Sequence, residues 1–157
     1  MMENETAILA KRRMQAEVIG PIHAELVTEL GEERANAILA RAIVKAAIAE
    51  GRAFAAKTPG GVTSLADFVK LYELWTRDGS LEVEVLETTE TTFNFDVTRC
   101  KYAETYKEMG LGKIGHLLSC NRDGTFCQGY DPKITLERRQ TIMAGAPRCT
   151  FRYTRAK

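Results

Sequence analysis

The sequence predicts an α+β domain: a helical N-terminal half, residues 6–77, packed on a C-terminal antiparallel sheet of about five strands with inserted helices, residues 81–155. Three observations predict it. Apolar residues recur at helical spacing through the first half. Beyond Gly79 the period changes from 3.6 to 2. The strands then come in a run, not in alternation with crossover helices, which favours antiparallel pairing.

From Thr6 to about Ile19, apolar positions Ile8, Leu9, Met14 and Val18 alternate with charges, and Pro21 is expected to interrupt this first helix. A second runs through His23, Leu26, Val27 and Leu30 and stops at Gly31. Residues 32–50, rich in Ala, Leu and Ile with spaced charges, form a third, closed by Gly51. After the turn Thr58-Pro59-Gly60-Gly61, Ser64 or Thr63 caps a helix that carries Phe68, Leu71, Tyr72 and Trp75 on one stripe.

Leu81, Val83 and Val85 then alternate with Glu82 and Glu84, and Phe93, Phe95 and Val97 with Asn94, Asp96 and Thr98. A loop at Glu90 makes residues 81–98 a hairpin. A helix from Tyr102 to Met109 ends at Gly110, and another begins near Lys113 and carries His116 towards Cys120. Three further strands are expected at 125–130, after the Asp123-Gly124 turn, at 134–143 and at 148–155.

With 157 residues the chain has room for a core without staples, and 1–157 reads as one domain. A net charge of +1 with scattered basic residues argues against a nucleic-acid partner. No apolar run is long enough to span a bilayer. Glu3, Glu5 and the charged run after them lack the apolar stretch of a secretion signal. The four cysteines, Cys100, Cys120, Cys127 and Cys149, are irregularly spaced, so reduced thiols in a cytoplasmic protein are expected.

Chemistry concentrates in the stretch from His116 to Asp123, which holds a base, a thiol, a cation and a carboxylate. If the segment is helical, His116 and Cys120 share a face. His116 or Arg122 would lower the Cys120 pKa, with Asp123 orienting the imidazole or a water. Burial of Cys120 as a small hydrophobe, with His116 at the surface, is the competing reading. Cys100, His116, Cys120 and Cys149 are residue types that zinc favours, but their spacing matches no compact zinc knuckle. Several arginines on one sheet face, among Arg138, Arg139 and Arg152, would suit a substrate carboxylate, or else a solvated face paired with Glu137. There is no glycine-rich phosphate loop, no HExxH and no GxSxG.

The C-terminal region carries Cys100 with Tyr102-Ala103, Gly110, the Cys120-x-Arg122-Asp123 box, Tyr130-x-Pro132 and Leu136-x-Arg138, followed by Thr141-Ile142-Met143-x-Gly145 and Cys149-x-Phe151. In these motifs and their spacing it resembles the L-2-amino-thiazoline-4-carboxylic acid hydrolase family. The resemblance implies a small cytoplasmic hydrolase that opens a cyclic isothiourea to N-carbamoyl-L-cysteine on the way to L-cysteine, without a cofactor. Cys120, His116 and Asp123 would be catalytic: Cys120 attacks with His116 as base, or His116 or Asp123 activates water. Arg122 or Arg138 would hold the substrate carboxylate, with Cys100, Thr141 and Cys149 also in contact with substrate. A homo-oligomer is the default assembly. The closing Gly-x-x-x-Cys-x-Phe also resembles small-molecule-binding sensor domains of the 4-vinyl reductase type, which implies the alternative of a non-catalytic binding domain. Some of those hold zinc through cysteines and a glutamate. Arg138 and Thr141 stand here where further ligands would be sought, so no metal is expected.

Overall fold

The computed structural model describes residues 6–157, so Glu3 and Glu5, read above against a secretion signal, lie outside the described residues. Two long helices open the fold: α1 (Ile8–Leu30) and α2 (Glu32–Ala56). They reverse at Gly31, whose φ of 83° lies in the left-handed region that glycine adopts without steric cost. The expected interruption at Pro21 does not occur, and α1 runs through it. Pro21 is exposed, so water can satisfy the carbonyl its missing N–H frees. The opposite face of α1, with Ile8, Arg12, Ala16 and Gly20 at every fourth position, is buried.

Two short helices follow, α3 (Leu65–Leu71) and α4 (Glu73–Thr76). Ser64 caps α3, its hydroxyl accepting from the Asp67 N–H at 3.1 Å and donating to the Asp67 carboxylate at 2.6 Å. Phe68, Tyr72 and Trp75 pack as a cluster, Tyr72 and Trp75 stacked with centroids 5.8 Å apart.

The sheet has four antiparallel strands in the order β1 (Leu81–Thr88), β2 (Thr92–Cys100), β4 (Cys149–Arg155), β3 (Ile134–Glu137). Alternation sets its inner face: Phe95 pairs with Phe151 and Phe93 with Tyr153, all buried under the helices. On the other face Asp96 is held by Arg148 at 2.8 Å and Arg152 at 2.9 Å.

Between β2 and β3 lie α5 (Lys101–Glu108), a single π-helical turn (His116–Cys120) and α6 (Asn121–Tyr130). The strand expected at 125–130 is therefore helix, and the one expected at 134–143 ends at Glu137. The Asp123-Gly124 pair reads locally as a turn, yet Leu118, Arg122, Phe126 and Tyr130 form a buried stripe at every fourth position. Tertiary packing overrode the local signal.

That packing is close. A Cβ on Gly51 of α2 would stand 2.2 Å from the Phe126 carbonyl oxygen, and one on Gly129 of α6 would stand 2.0 Å from the Ile48 carbonyl oxygen. The two helices cross backbone to backbone where each carries glycine. No helix among the described residues is long and apolar enough to cross a membrane.

Candidate functional site

A narrow cavity of about 40 Å³ lies between the inner sheet face, α1, α4 and the start of α6. Cys100, Cys120, Arg122, Asp123, Arg138 and Cys149, scattered over fifty positions, all line it. Tyr72, Trp75 and Phe151 supply aromatic walls, and Met143 closes one side.

Each polar side chain has an identifiable support. The π-helical turn leads directly into α6, placing Cys120 at the junction and Asp123 in the first turn of the helix. Arg138 comes from the residue after β3 and reaches across to Asp123 through Nη1. Its Nη2 donates to the Cys120 carbonyl at 3.0 Å, and its guanidinium lies 4.9 Å over the Phe151 ring. Burial pushes the Asp123 pKa up, and Arg138 partly offsets this.

Behind this pair is a second charged group. Arg12 of α1 and Arg122 of α6 share the Glu50 carboxylate of α2, at 2.9 and 3.5 Å, and both donate to the Gln15 side-chain oxygen. The Arg122 Nε also donates to the Leu118 carbonyl at 2.8 Å. Burial, then the like charge of Arg12, pulls the Arg122 pKa down to about 10. Three guanidinium groups at the cavity wall thus face two carboxylates, leaving an excess of buried positive charge.

Sequence reasoning missed Arg12 and Glu50. A signal for Arg12 was present, because a charged residue every fourth position from Ile8 and Ala16 sits on an apolar stripe where burial demands a partner.

His116 and Thr141 lie elsewhere. His116 is exposed, and both line an open outer groove beside β3 rather than the narrow cavity. The Thr141 hydroxyl accepts from the Ala144 N–H at 3.2 Å, capping a short helical turn at Ile142–Ala144. Cys120, Arg138 and Met143 border both spaces and form the partition between them.

All four cysteines are unpaired. Burial raises the pKa of each: Cys100 to about 11, Cys127 to about 12, and Cys120 and Cys149 upward as well. For Cys120 the negative charge of Asp123 adds to the rise, while Arg138 opposes it. Cys127 is fully buried in the core. Among the described residues no group of three His, Cys, Asp or Glu side chains is arranged to hold a metal ion.

These thiols are neutral at physiological pH. The thiolate fraction falls tenfold for each unit that the pKa stands above the pH. Native protein at neutral pH should therefore label slowly with a thiol-reactive disulfide reagent, faster as pH rises, whereas denatured protein should label at all four sites at once. Rapid labelling of Cys120 at neutral pH in the native state would contradict this environment.

A helical hairpin over an antiparallel sheet, with a narrow polar-lined cavity between them, defines an α+β domain. The chain matches the L-2-amino-thiazoline-4-carboxylic acid hydrolase family over residues 11–153 and belongs to that family. No curated protein matches it significantly in sequence. Among solved structures, the phenol-responsive sensory domain of the transcription activator PoxR, determined with phenol, is similar in fold, with a TM-score of 0.52 and 18% identity. The match covers 88% of this chain and 73% of that one. A trafficking protein particle complex subunit 3 from Naegleria fowleri, covalently bound to palmitic acid, aligns with a TM-score of 0.49 and 13% identity over 94% of this chain and 96% of that one.

Proposed function

We propose that this chain is a single-domain, cytoplasmic binding protein for a small carboxylate-bearing molecule with a flat apolar body, held where the narrow cavity lies, with Met143 and the aromatic walls moving apart to admit it. The observation that carries the reading is the excess of buried positive charge. Arg12 and Arg122 share one carboxylate at the cavity wall, and an unmatched cation in a low-dielectric site favours an anionic occupant. Tyr72, Trp75 and Phe151 suit a planar ring. The PoxR sensory domain was solved with a small aromatic ligand, which makes binding without chemistry a natural use of this fold.

Hydrolysis of a thiazoline carboxylate is the second reading, favoured by family membership and by Asp123. A carboxylate whose pKa is raised by burial is suited to take a proton from water. In that scheme Asp123 activates the water or pairs with the substrate amidinium, Arg122 holds the carboxylate, and Cys120 is a neutral wall of the pocket. A thiolate attack by Cys120 has little support, because burial and Asp123 both disfavour the thiolate and His116 faces the outer groove.

Calorimetry and mass spectrometry on the same samples test both readings. With 2-amino-thiazoline-4-carboxylate and a panel of small aromatic carboxylates, saturable heat without a new species supports binding alone. Accumulation of the carbamoyl product supports hydrolysis. Neither heat nor product with any carboxylate would defeat both. Arg122→Lys keeps the charge but loses the planar fork, and should weaken carboxylate binding by about tenfold or more. His116→Ala should leave binding unchanged, and a loss there would move the ligand to the outer groove.

A further inference from the structure

A second, smaller void of about 10 Å³ adjoins the cavity, and Arg12, Arg122, Asp123, Tyr72 and Trp75 border both. On its far side stand Phe68, Phe126 and Tyr153. A void of that size admits about one water-sized group.

Its polar lining is incompletely bonded. Tyr72 and Tyr153 are 5% and 1% exposed, yet neither hydroxyl has a hydrogen-bond partner among the described residues. Asp123 engages Arg138 through Oδ2, which leaves Oδ1 without a partner. Among the described residues, Asn94 Oδ1 is the one side-chain polar atom both unbonded and sealed from open space. The two hydroxyls and Asp123 Oδ1 therefore border open space within the fold, and for Tyr153 that space is the small void. Buried polar groups rarely go unpaired, and three of them meeting at one void call for a polar occupant. Burial, then the negative charge of Asp123, holds both tyrosines well above their usual pKa range. Each hydroxyl thus stays protonated and able to donate.

We infer that this void receives a hydroxyl group of the ligand, its oxygen accepting from Tyr72 or Tyr153 and its proton donated to Asp123 Oδ1. The ligand is then a hydroxylated aromatic carboxylate, which narrows the class proposed above and rests on that reading. A hydroxyl fits because it accepts and donates through one small atom. A methyl group would strand all three polar groups. A cationic group would meet Asp123 but also Arg12 and Arg122 on the same wall, and an amidinium is larger than the void.

Calorimetry on the full chain tests it, with benzoate, its ortho-, meta- and para-hydroxy derivatives, and para-amidinobenzoate. In wild type at least one hydroxy derivative should bind about tenfold tighter than benzoate. The double variant Tyr72→Phe, Tyr153→Phe keeps both rings and should bring that ratio of affinities close to one. Loosened packing alone would weaken benzoate and its hydroxy derivatives together and leave the ratio standing. Equal wild-type affinities, a ratio that survives the double variant, or a preference for para-amidinobenzoate would overturn this inference and leave carboxylate binding intact. Failure of every carboxylate to bind would remove the binding reading and this inference with it.

Discussion

Gly129→Ala should destabilise the fold by about 3 kcal/mol or more, at the upper end of what overpacking costs. Helix propensity alone points the other way, since alanine is favoured over glycine inside a helix by about 1 kcal/mol. The tertiary contact decides the sign. The new methyl would sit 2.0 Å from the Ile48 carbonyl oxygen, and backbone cannot rotate away as a flexible side chain can. Gly51→Ala, with its methyl 2.2 Å from the Phe126 carbonyl oxygen, should do much the same. Urea denaturation measures both. Because α6 carries Arg122 and Asp123, any variant that still folds should also lose carboxylate binding. A Gly129→Ala protein as stable as wild type would mean that the two helices are not in backbone contact.

The second large effect concerns Asp123→Ala. Asp123 and Arg138 are each only 15% exposed, so removing the carboxylate strands a buried guanidinium. Breaking such a pair costs about 3–5 kcal/mol, far more than the pair itself contributes over an apolar replacement. The Arg139–Glu137 pair is a control within the same segment. At 87% and 68% exposure, its loss should cost under about 1 kcal/mol. Chemical denaturation of the two variants should therefore separate widely, and equal midpoints would show that water already screens Asp123. Function separates as well. In a binding domain, Asp123→Ala increases the excess positive charge and should retain carboxylate affinity. In a hydrolase it should retain binding but lose about 10²–10⁴ in turnover.

The two effects also mark where local sequence reading stops. The Asp123-Gly124 turn signal favours a strand at 125–130, while the governing pattern is Leu118, Arg122, Phe126 and Tyr130 at every fourth position. A charged member hid that stripe. Arg12 was hidden in the same way, inside a basic run that looks solvated until its register with Ile8 and Ala16 is noticed. The interruption placed at Pro21 failed for a related reason: the proline lies on the wet face, where a missing hydrogen bond costs least.

The α+β class, the order of helices before strands and the hairpin of β1 and β2 are legible along the chain, because they follow from periodicity over short windows. Its C-terminal motifs also determined family membership, later matched over residues 11–153. Which of the chemical residues meet is set by how distant elements pack. Cys100, Cys120, Arg122, Asp123, Arg138 and Cys149 enclose one cavity, while His116, four residues from Cys120, faces another space. The ionisation of the thiols was likewise a tertiary matter. Spacing along a chain constrains the angle between side chains on one element, but solvent access and distant charges set whether a thiol or carboxylate ionises, and those arise only when the elements pack.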